Sequence, residues 1–68
     1  MTVASQVKQT LAGLKSAHAT LKLYSSQSQD PEAQSVFRDA AAATGAIIQG
    51  MEERLKVIEL EEPQYKGF

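Results

Sequence analysis

The chain has no cysteine and no tryptophan, a single histidine, two prolines, and no acidic residue before Asp30. Each absence excludes something. Without cysteine there can be no disulfide framework, and the composition fits a reducing compartment. One histidine leaves too few ligands for a structural metal site. No stretch approaches the ~20 apolar residues of a membrane span. The opening "MTVASQVKQT" has no basic segment followed by an apolar run, so it does not read as a secretory signal. Catalytic signatures are missing too: there is no nucleophile-elbow spacing, no glycine-rich phosphate loop, and the serines of "SSQSQ" have neither a base nor oxyanion donors implied. The expectation is a soluble cytoplasmic protein that is not an enzyme and holds no metal or cofactor.

What is present is 68 residues with near-balanced charge. That is one domain at the small end of what folds alone, because a short chain buries a smaller share of its surface. With disulfides and metals excluded, stability has to come from association or from unusually good helix packing. The charges are also segregated. Lys8, Lys15 and Lys22 stand in a first half with no acid, whereas all eight acids lie from Asp30 onward beside Arg38, Arg54, Lys56 and Lys66. Two helices laid side by side would use such a split.

Periodicity makes the helices explicit. Ala4, Val7, Leu11, Leu14, His18, Leu21, Ser25 and Ser28 advance by three and four without a break, a heptad seam. With Thr2 as N-cap, helix one is expected over about residues 3–28. In "SQSQDPE" a polar cluster ends it, Asp30 caps the next helix, Pro31 takes the first helical position and Glu32 sits at the positive end. The second segment carries a wider stripe: Ala33, Phe37, Ala40, Ala41, Thr44, Ile47, Ile48, Met51, Leu55 and Ile58. A wide stripe faces more than one neighbour. Helix two is expected over about residues 31–61, because Pro63 disfavours helical geometry at Glu62. Gly45 and Gly50 inside it each cost up to ~1 kcal/mol against alanine, so close approach is the reason to look for.

So short a connection makes the helices antiparallel neighbours. The expected fold is all-α: an antiparallel helical hairpin over residues 1–62, with 63–68 as an extended tail. Equal steps from the turn place Leu21 near Phe37, His18 near Ala41, Leu14 near Thr44 and Gly45, Leu11 near Ile48, and Val7 near Met51. They also place Lys22 near Asp39 and Lys8 near Glu52. The expected core or self-association residues are therefore Val7, Leu11, Leu14, His18, Leu21, Phe37, Ala41, Thr44, Ile47, Ile48, Met51, Leu55 and Ile58. Since a lone hairpin has little core to set against the entropy of ordering its chain, two copies are expected to dimerise into a four-helix bundle, joined by the wide face of helix two.

Few residues suggest chemistry. His18 lies on the seam, where it is either a ligand, base or pH switch, or a core histidine held by a hydrogen bond. No acid lies within a turn of it, and the Glu-x-x-His pairs of di-metal bundles are missing. Glu61 and Glu62 stand at a helix C-terminus, the unfavourable end for negative charge, and read as solvated or partner-bound. Lys8, Lys15 and Lys22 recur every seven residues along one line of helix one. That line is either a stripe for nucleic acid or an anionic membrane surface, or one side of interhelical pairing. Three lysines without arginine or interleaved aromatics argue against nucleic acid. The closing "EEPQYKGF" concentrates half the chain's aromatics, Tyr65 and Phe68, around Pro63, Lys66 and Gly67. These residues either cover the open end of the bundle beside Val3 and Leu55, or anchor a partner.

The opening "MTVASQVKQTLAGLKSAHATLKLYS", the "QDPEA" before helix two and the closing "EEPQYKGF" together resemble the small family of domains of unknown function numbered sixteen-fifty-seven. The likeness covers essentially the whole chain. Members of that family occur in endospore-forming bacteria, as short free-standing proteins and as a soluble extension of an integral membrane protein, and their genes often lie beside those for spore dipicolinate transport and germination. The resemblance therefore implies a sporulation-associated role in the spore or forespore, peripheral at the inner spore membrane, with a spore membrane protein as partner. It implies no activity and no functional residue.

Overall fold

In the computed structural model, which describes residues 3–61, two helices account for all but three of those residues. Helix α1 spans Val3–Gln27 and α2 spans Pro31–Glu61. They pack against each other along their length as an antiparallel hairpin with Cα extents of 48 × 17 × 11 Å. The all-α hairpin expected from the periodicity is what this chain forms. Thr2 and residues 62–68, with the N-cap and the tail assigned to them above, lie outside the described residues.

Local chemistry builds the turn. Ser28 extends α1 by donating its N–H to the Tyr24 carbonyl at 2.9 Å. Two residues later Asp30 caps α2: its Oδ1 accepts from the Glu32 N–H at 3.3 Å, and its carbonyl accepts the first helical bond from the Gln34 N–H at 2.9 Å. Pro31, at the first helical position, has no donor to satisfy. Gln34 then closes the corner, its Nε2 donating to the Ser28 carbonyl at 2.6 Å. Opposite it, the Ser25 hydroxyl donates to the Gln34 carbonyl at 3.4 Å. The carbonyl just past the end of α1 is thus satisfied by a side chain from the first turn of α2.

Each seam residue of α1 from Ala4 to Ser28 is buried or half-buried, and so is each stripe residue of α2 except Ile47. Ile47 is 55% exposed. The core itself is thin. Among the described residues only Ala4, Leu11, Ala41 and Ile48 are buried apolar residues, and no large side chain is fully enclosed.

The long-range partners differ from those reached by counting equal steps. Lys8 pairs with Glu59 at 3.1 Å and Lys15 with Glu52 at 2.9 Å, whereas equal steps put Lys8 beside Glu52. His18 meets Gly45 rather than Ala41, and Phe37 touches Tyr24, with ring centroids 5.5 Å apart. The cause is the tilt of helical side chains toward the N-terminus of their own helix. On antiparallel helices a lysine on α1 leans away from the turn and a glutamate on α2 leans toward it. Their tips therefore meet when the Cα of the glutamate stands further from the turn than the Cα of the lysine. The short pair at Ser25 and Gln34, beside the turn, needs no such correction.

Candidate functional site

Helix geometry divides the hairpin into two broad faces, one on each side of the seam. Lys8 and Lys15 with their partners Glu59 and Glu52 mark one. Successive residues turn by 100°, so Lys22, Arg38 and Lys56 fall on this same side. Two grooves lie there. The larger, of about 380 Å³, is lined by Leu11, Ala12 and Leu55 with a rim of Lys8, Lys15, Glu52, Lys56 and Glu59. The smaller, of about 220 Å³, is lined by Lys22, Arg38, Ser25, Ser26 and Ala41.

Tyr24 and Phe37 mark the opposite face. The same rotation places Thr10, Gly13, Leu14 and Ala17 of α1 beside Val36, Ala40, Ala43, Ile47 and Gly50 of α2 there. Between Glu32 and Arg54 the charge nearest this face is Asp39, at its outer edge one heptad past Glu32. Val36 is 62% exposed and Tyr24 47%, and a Cβ at either Gly13 or Gly50 would meet nothing within 4 Å. The wide stripe of α2 is therefore two surfaces. Ile48 turns into the hairpin, and Ile47 turns out onto the uncharged face.

His18 is half-buried between the helices. Its Nδ1 is shielded from solvent and has no hydrogen-bond partner. A histidine held by a hydrogen bond is thus not what occurs at that nitrogen: the α2 backbone passing it belongs to Gly45, whose missing side chain makes room for the ring. A Cβ built on Gly45 would stand 3.2 Å from His18 Cε1. Among the described residues no acid pairs with the imidazole, and no group of three histidine, cysteine or acidic side chains could hold a metal ion.

The lysine stripe is largely occupied within the chain. Lys8 and Lys15 face Glu59 and Glu52. Continuing that heptad series brings Lys22 opposite Gly45, where no acid is available. Lys22 shares its groove with Arg38 instead of meeting Asp39, and neither cation has a carboxylate within 4 Å among the described residues. No helix among the described residues is long and apolar enough to cross a membrane.

Of the residues singled out in the sequence, Val7, Leu11, Leu14, His18, Leu21, Phe37, Ala41, Thr44, Ile48, Met51, Leu55 and Ile58 are buried or half-buried, and Ile47 is exposed. Sequence reasoning missed Gln34, whose signal was a long amide one turn past an Asp-Pro cap. It missed Ser5 as well, which is 2% exposed.

A model of the family described as "Protein of unknown function (DUF1657)" matches residues 7–55, from the second turn of α1 to the last two turns of α2. The chain belongs to this family. No curated protein and no solved structure matches it. The matched span holds the seam from Val7 to Leu55, the capped turn and the uncharged face, and stops before the segment that carries Tyr65 and Phe68.

Proposed function

We propose that this DUF1657 hairpin is a non-enzymatic interaction module that pairs with a second copy of itself through its uncharged face, giving a four-helix bundle. The observation that carries the reading is the segregation of charge. Every lysine of α1 lies on one side of the seam, and the other side presents Ile47, Val36 and Tyr24 to solvent. Size agrees with it. The stretch from Glu32 to Arg54 is about 33 Å of helix, which over the 17 Å width of the hairpin is about 560 Å² in projection, toward the low end of what each partner of a stable interface buries. Exposure agrees as well: the accessible surface of 4802 Å² exceeds the roughly 4200 Å² expected of a compact monomer of this mass. Glycine at positions 13 and 50 would let backbones approach across the join.

The setting we propose is sporulation, with the bundle attached to a protein complex of the inner spore membrane. Family membership supports it, through the company that such hairpins keep. Binding of nucleic acid or an anionic membrane by the helix-one lysines is the weaker reading, since two of the three lysines face acids of their own chain. Sedimentation equilibrium of the unmodified chain at micromolar concentration tests the pairing. A mass near twice 7.4 kDa is expected, and a monomer throughout that range would refute it.

A further inference from the structure

Two charges flank the uncharged face on α2, Asp39 toward the turn and Arg54 toward the open end, and both are exposed. No residue three or four positions from Arg54 is acidic, and none at those distances from Asp39 is basic. Neither makes an ion pair within 4 Å among the described residues. They cannot satisfy each other within one chain, because one continuous helix holds them about 22 Å apart. Arg54 also closes a run of three-and-four steps beside the seam, Phe37, Ala40, Thr44, Ile47, Met51 and Arg54, in which it is the one charge. Asp39 stands at the outer edge of the same face, on the side away from α1.

We infer that two hairpins pair with their turns at opposite ends, α2 lying antiparallel on α2 of the second copy, so that Arg54 of each chain meets Asp39 of the other at the outer rim. The inference rests on the pairing proposed above and fixes its orientation. Two-fold symmetry allows two face-to-face arrangements of a hairpin. With both turns at one end, α2 lies on α1 of the second copy. Arg54 then faces a helix that contains no acid, while Asp30, Glu32 and Asp39 of both chains gather at the same end, where like charges repel. With the turns at opposite ends, two symmetric ion pairs form instead. The axis then crosses α2 between Ala43 and Ile47, close to the middle of Pro31–Glu61, and the two α2 helices overlap along most of their length. Ile47, 55% exposed in the single hairpin, is covered beside the axis.

The chain has no cysteine, so Gln29→Cys, at an exposed position in the turn, takes a single spin label. Pulsed dipolar spectroscopy of the labelled chain should give an interchain distance of roughly 45 Å, twice the rise of α2 from the turn to the axis. A distance of about 10 to 20 Å, the separation of two packed helical layers with their labels, would overturn the orientation and leave the pairing intact. No interchain distance, with a monomer mass in sedimentation, overturns both. Charge exchange provides the second readout. Arg54→Asp and Asp39→Arg should each raise the dissociation constant at least about tenfold, because each sets like charges together at both rims, and the two combined should recover most of the loss. A double variant as weak as the single ones means that these side chains do not meet, and the orientation is wrong.

Discussion

Gly45→Ala is the substitution whose outcome this hairpin fixes most tightly. In an open helix position the change stabilises by up to about 1 kcal/mol, because glycine loses more backbone freedom on folding than alanine. Here the new Cβ would stand 3.2 Å from His18 Cε1 and 3.8 Å from both ring nitrogens. Carbon contacts are optimal at about 3.5 to 4.0 Å, so the ring must retreat by a few tenths of an ångström inside the seam. Overpacking of that kind costs about 1 to 3 kcal/mol. The expected net effect is a loss of about 1 kcal/mol, read as a fall of about 4 to 8 °C in melting midpoint for a domain of this size. In a His18→Ala background the obstacle is gone, and Gly45→Ala should then stabilise by about 1 kcal/mol, a coupling of about 2 kcal/mol between the two sites. The assay is thermal unfolding of the four proteins at one fixed chain concentration, since association makes the midpoint concentration-dependent. If Gly45→Ala raises the midpoint equally in both backgrounds, His18 does not rest on Gly45 and the close-approach argument is wrong.

Further outcomes follow from the same geometry. Asp30→Ala removes the acceptor of the Glu32 N–H and should cost about 1 kcal/mol, with Asp30→Ser recovering most of it; chemical denaturation reads both. Lys8→Glu should destabilise through repulsion with Glu59, and the exchange Lys8→Glu with Glu59→Lys should restore at least half of the loss. The Lys15–Glu52 pair, with side chains 56% and 45% exposed, should contribute less than about 1 kcal/mol and fade with added salt. Gly50→Ala meets nothing within 4 Å in the hairpin, so it should stabilise a single chain by about 1 kcal/mol while weakening pairing if a second copy approaches there.

How much of this was legible in the sequence depended on how far the information had to travel along the chain. The seam from Ala4 to Ser28 was readable because a repeat of three and four is a property of one helix alone. The start of α2 was readable because Asp30, Pro31 and Glu32 act on their own first turn. Ion-pair partners were not, since they depend on the lean of side chains on two helices running in opposite directions, which moved the partner of Lys8 from Glu52 to Glu59. Ile47 and Ile48 are alike in composition and adjacent on the stripe, and only the observed packing separates the inward residue from the outward one. His18 looked like a group in search of a hydrogen bond. The structure gives it a glycine to lie against instead. Burial of Ser5 had no signal of its own, because nothing in a first-turn serine announces what covers it.

The claim that most needs testing is that the uncharged face is where copies meet. A charge scan read by sedimentation equilibrium does this directly, with Ile47→Glu on that face and Gln49→Glu, an exposed position turned away from it, as the matched control. The control and the unmodified chain should both sediment near twice 7.4 kDa at micromolar concentration, whereas Ile47→Glu should sediment as a folded helical monomer. Pairing that survives Ile47→Glu, or that fails equally with Gln49→Glu, would contradict it.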